Sequence, residues 1–170
     1  MEQSHLELLK HWHQCAGKIL NTDGAGLSDM DIIQFQALLM DNGADLFRAF
    51  KQGDMTVILS GLVNLSYSAM SAAALSGGQG DIFSTTVDWR HDGLIISIIR
   101  SLSKQIAACA SGQAEDYAAL YVLCKKLARD FLNADFDKSF QRVHQAKMQD
   151  RHFPASRHIS MPDLSDCLFE

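Results

Sequence analysis

Basic charge, proline and paired cysteines are all scarce in this chain of 170 residues. It holds two prolines and four cysteines, and 15 Lys and Arg stand against 20 Asp and Glu, a formal net charge of −5. A balance of that sign excludes a protein whose main work is gripping nucleic acid through a basic surface, so no nucleic-acid partner is expected. It leaves room for one bound triphosphate, which needs only a local cluster of cations or metal. Cys15, Cys109, Cys124 and Cys167 are scattered, with no CxxC pair. The opening MEQSHLELLK carries Glu2, Glu7 and Lys10 where a signal peptide would be apolar, so free thiols in a reducing cytoplasm are expected.

Charge is missing altogether from Met55 to Gly80, a run long enough on paper to span a bilayer. The run also holds Thr56, Ser60, Asn64, Ser66, Ser68, Ser71 and several glycines, and no basic flank marks an inside end. These residues predict a helix buried inside a bundle and no membrane partner. Its Gly, Ala and Ser allow neighbouring helices to approach closely.

What is present is helical periodicity. Leu6, Leu9, Trp12, Ala16 and Ile19 predict a first helix over 4–19. The loop NTDGAGLSD follows, and Ser28 with Asp31 resembles a capping box that starts a second helix running to about Lys51. Ile32, Phe35, Leu39, Leu46 and Phe50 form its stripe. Gly53 ends that helix and Asp54 caps a third, to about Leu75. SGGQGD at 76–81 breaks the chain. A fourth helix is predicted over 87–110, a fifth over 114–132, and a short sixth over 135–149. Lys125 and Lys126 are read as a solvated face. No strands are expected, and the tail with Pro154 and Pro162 shows no periodicity. The fold class is therefore all-α, a bundle of five to six helices. Sliding the chain so that Gly53 falls on Gly112 lays Phe47 over Ile106 and Leu62 over Tyr121, a weak internal repeat of two helical hairpins.

The hairpin segment KQGDMTVILSGLVNLSY (51–67) resembles the turn and second helix of the all-α nucleoside triphosphate pyrophosphohydrolases, the MazG-type and phosphoribosyl-ATP pyrophosphohydrolase-like proteins. HWHQCAG (11–17), FQRVHQAKM (140–148) and MPDL (161–164) are similar to other segments of that family, in the family's order. The resemblance covers about two-thirds of the chain. It implies one MazG-like domain over 1–150, with 82–135 an added or duplicated hairpin, and a tail over 151–170.

It also implies a chemistry. The family cleaves a nucleotide to a monophosphate and pyrophosphate, using Mg²⁺ to neutralise phosphate oxygens and activate water. Mg²⁺ wants carboxylate oxygens, and helix spacing of three or four residues puts them on one face. Here the matching metal positions hold Asn42, Asp45, Ser60 and Asn64, with Asp41 just before them. The spacing is kept and most of the charge is lost, so Mg²⁺ is expected to bind weakly or not at all. His144, Lys147 and Arg151 are the candidates for contacting substrate phosphate. His11, His13 and Cys15 suggest a metal, but only His11 and Cys15 share a helical face and a third ligand is missing. Two readings stay open. One is a divergent pyrophosphohydrolase with an eroded metal site; the other is a non-catalytic bundle that binds a nucleotide or a protein. Self-association into a homo-oligomer is compatible with both, and small polar residues on buried helix faces also serve simply to fix a bundle's register.

Overall fold

The structure is a computed structural model and describes residues 2–21, 26–84, 87, 92–149 and 161–169. Among these residues it is all-α, with six helices and no strand beyond one isolated bridge between Ala134 and Leu168. The helices are α1 (Glu2–Cys15), α2 (Asp29–Gln52), α3 (Met55–Leu75), α4 (Ile95–Ala108), α5 (Ala114–Lys126) and α6 (Phe136–Gln149).

Local chemistry sets the boundaries of the central hairpin. The Asp31 amide donates to Ser28 Oγ at 3.3 Å, and Ser28 Oγ donates in return to Asp31 Oδ2 at 2.9 Å. This is the N-cap half of a capping box: the Asp31 carboxylate meets the Ser28 hydroxyl and not the Ser28 amide. Gly53, at φ 76°, takes the left-handed turn that ends α2, its amide donating to the Ala49 carbonyl. Asp54 Oδ1 then accepts from the amides of Thr56 and Val57, at 2.9 and 3.2 Å, and starts α3.

α3 is the axis of the molecule. It packs most extensively on α5 and α2, and α1 and α6 cover its other sides. By length and composition it could cross a membrane, but most of it is buried by these neighbours. Small residues permit the packing: Ala69, Ala72, Ala73 and Ala74 are fully buried. The two hairpins lie against each other, α2 on α4 and α3 on α5. Gly112, at φ 71°, stands in a left-handed turn before α5 as Gly53 does before α3.

Three expectations are corrected. α1 stops at Cys15 because Gly17 (φ 76°) turns the chain, and Ile19, read as inward-facing, is 93% exposed. α4 begins at Ile95 and not at Val87. Gly93 (φ 79°) breaks the path, and Asp92 receives the Leu94 amide at 3.0 Å and the Ser97 hydroxyl at 2.6 Å. Lys125 is buried where a solvated face was expected, whereas Lys126 is exposed and reaches the Val87 carbonyl. Beyond α5, residues Leu127–Phe131 widen into a π turn, with the Leu132 amide reaching back to the Leu127 carbonyl.

The segment 161–169 is anchored as well. Asp135 and Cys167 share a 2.7 Å backbone hydrogen bond, and Leu164 and Cys167 are buried. Arg142 and Lys138 of α6 both hold the Asp166 carboxylate. Those partners keep that carboxylate well below its ordinary pKa, the Arg142 hydrogen bond contributing most.

Candidate functional site

α2 and α3 cross tightly where Gly61 removes a side chain, and Gly43 does the same for α2 against α4. A Cβ on Gly61 would stand 3.2 Å from Leu46 Cα, and one on Gly43 would stand 2.8 Å from the tip of Ile106. Beside Gly43, Asn42 turns inward toward α3, which presents Ser60, Asn64 and Ser68 at four-residue intervals. The interval of four places them on one face.

The inward groups form a chain of hydrogen bonds. Asn64 Nδ2 donates to Asn42 Oδ1 at 3.1 Å, Asn42 Nδ2 donates to Ser68 Oγ at 2.7 Å, and Ser68 Oγ donates to the Asn64 carbonyl at 3.2 Å. Asn42 and Ser68 are buried, and Asn64 and Ser60 are half-buried. The buried Asn64 Oδ1 has no hydrogen-bond partner among the described residues.

The carboxylates stand apart from this chain. Asp41 and Asp45 are exposed on α2, and Asp45 Oδ1 accepts from Arg48 at 2.8 Å on the same helix surface. Of the five positions expected to face a metal, the structure therefore joins Asn42 and Asn64 directly. Ser60 sits one turn earlier on α3, and Asp41 and Asp45 stay at the surface. The donor set does not suit Mg²⁺. Asn42 Oδ1 and Ser68 Oγ are already engaged, and no carboxylate stands within the chain. Among the described residues no three His, Cys, Asp or Glu side chains gather as a metal-holding group.

The candidates on α6 are drawn into the protein. Tyr67 Oη and His144 Nδ1 are 3.0 Å apart, and the Lys147 ammonium lies 5.0 Å above the Tyr67 ring. Burial lowers the Lys147 pKa to about 8, lowers that of His144 and raises that of Tyr67. His144 Nδ1 and the Lys147 ammonium thus both meet Tyr67 of α3. Arg151 lies outside the described residues.

Sequence reasoning passed over His5, and it named His13 beside His11 and Cys15 without placing it on the buried face. His5 stacks on Phe140 with ring centroids 4.0 Å apart, its Nδ1 is 2.9 Å from Tyr121 Oη, and its Nε2 is 3.7 Å from Asp137. His13 Nε2 is 3.0 Å from both the carbonyl and the hydroxyl of Ser71, while its Nδ1 is buried without a partner among the described residues. Burial lowers its pKa to about 4. The signal was available: His5, Leu9 and Trp12 are spaced to share the inward face of α1 with His13. His11, on the outer face, instead meets Cys15 Sγ at 3.5 Å.

A cavity of about 380 Å³ lies beside the N-terminus of α2, lined in part by Leu20, Asn21, Ser28, Asp31 and Leu75. None of the candidate residues lines it. No family model, curated protein or solved structure matches the chain.

Proposed function

We propose that this chain is a non-catalytic, divergent relative of the all-α nucleoside triphosphate pyrophosphohydrolases, working as a helical binding module. The observation that carries this reading is the neutral chain Asn42–Asn64–Ser68 between α2 and α3. It occupies the face where the resemblance calls for metal-bound carboxylates. Neutral amides bonded to one another can hold two helices in register. They cannot offset the charge of a triphosphate or lower the pKa of an attacking water. The positions of His144 and Lys147, turned onto Tyr67, support the same conclusion.

A second reading draws on Asp41 and Asp45, which stand four residues apart on the exposed side of α2. A single Mg²⁺ held there would support slow hydrolysis of a nucleotide. One screen separates the two readings: pyrophosphate release from a panel of nucleoside triphosphates, with Mg²⁺ and with a chelator. The non-catalytic reading expects no Mg²⁺-dependent release above the protein-free rate. Release that disappears in Asp41→Asn or Asp45→Asn overturns it in favour of the second.

A further inference from the structure

α2 carries two apolar stripes. Phe35, Leu39, Asn42, Leu46 and Ala49 face the bundle and are buried. On nearly the opposite side, Met30, Ile33, Ala37, Met40, Ala44 and Phe47 follow one another at steps of three and four, the spacing of a two-helix seam. Met30 is 74%, Ile33 63% and Met40 61% exposed, Ala37 is exposed, and Ala44 and Phe47 are half-buried, Phe47 packing in part against the chain's own core. Isolated exposed apolar residues are ordinary on protein surfaces; a continuous heptad seam is not.

We propose that this outer face of α2 joins two copies of the chain, antiparallel, about a two-fold axis midway between positions 38 and 39. The stripe itself specifies that occupant. Around such an axis Met30 meets Phe47 of the second copy, Ile33 meets Ala44, and Ala37 meets Met40. Every apolar position finds an apolar partner, and each of the four central layers sets a small side chain against a large one. Parallel pairing would set alanine against alanine and phenylalanine against phenylalanine, alternating gaps with crowding. Charge agrees as well. Asp41, at the edge of the seam, stands beside the neutral Gln34 of the other copy, away from its own symmetry mate. Such a contact is isologous, so it closes at two chains.

The seam runs about 26 Å along the helix at 1.5 Å per residue, a contact at the small end of specific interfaces. The dimer is therefore reversible and depends on concentration. Because the stripe lies away from Asn42, the pairing does not depend on what the polar chain between α2 and α3 does.

Sedimentation of the full chain across the micromolar range tests this. The expected result is a shift from the 18.8 kDa mass of one chain toward twice that value as concentration rises. Ile33→Glu and Met40→Glu, both at exposed positions, should abolish the shift and leave the helical circular dichroism unchanged. Met148→Glu, at an exposed apolar residue of α6, which packs on α3, should leave the shift intact. In a Cys15→Ser background, chains with Ala37→Cys mixed with chains with Met40→Cys should give a disulfide-linked dimer in greater yield than either alone. A particle that stays at one chain's mass, a dimer indifferent to Met40→Glu, open-ended aggregation, or no preference for the mixed cross-link would each overturn the proposal.

Discussion

The imidazole of His13 passes from an ordinary pKa of 6.5 to about 4 in the fold, because burial disfavours its cation more than the Ser71 carbonyl stabilises it. The folded value is the lower one, so between these two values the unfolded chain binds the extra proton. Stability from this group is intact above pH 6.5 and falls as pH drops toward 4, by about 3 kcal/mol in all at 1.36 kcal/mol per pKa unit. His13→Gln keeps a neutral donor for Ser71 and removes the titration. Urea unfolding of the two proteins from pH 7 to pH 4 should show the wild type losing about that much more than the variant. Parallel curves would mean that His13 takes up its proton without leaving the fold. Asn42 belongs to the same scale. Its position was readable from helical spacing, but its partner Ser68 was not, since that contact depends on how closely α2 and α3 approach.

Helices and caps were the legible elements. Ser28, Gly53 and Asp54 act within a few residues of themselves, so their sequence signal survives folding almost unaltered. The ends of α1 and α4 were less legible because apolar periodicity runs on past a glycine that takes a positive φ. The α2–α3 crossing yields a prediction at this scale. Gly61→Ala would press a methyl against the Leu46 backbone, which cannot step aside, and should cost about 1–3 kcal/mol through overpacking. Gly43→Ala meets only the mobile end of Ile106. There the gain of about 1 kcal/mol from better helix propensity should cancel most of the strain. Thermal melts of the two variants should therefore separate clearly, with Gly61→Ala the lower. Equal melting temperatures would mean that the crossing is looser than these contacts imply.

For the whole molecule, the uncharged run from Met55 to Gly80 announced its own burial, and the bundle followed from it. The polar chain was harder to read. Asn, Ser and Asp at helical spacing look alike whether they hold a metal or each other, and only the fold shows Asp45 turned out to Arg48 while Asn42 and Asn64 meet inside. The central claim is that a carboxylate site gave way to this neutral one on the same frame. The most direct measurement is the melting temperature of the triple variant Asn42→Glu, Ser60→Asp, Asn64→Asp, with and without Mg²⁺. The claim predicts a protein destabilised by several kcal/mol in chelator, because negative charges are buried side by side. It predicts that Mg²⁺ restores most of the loss, while the wild type does not respond to the ion. A triple variant that stays destabilised in saturating Mg²⁺ would contradict it, leaving Asn42, Ser60 and Asn64 as packing residues with no metal site in their past.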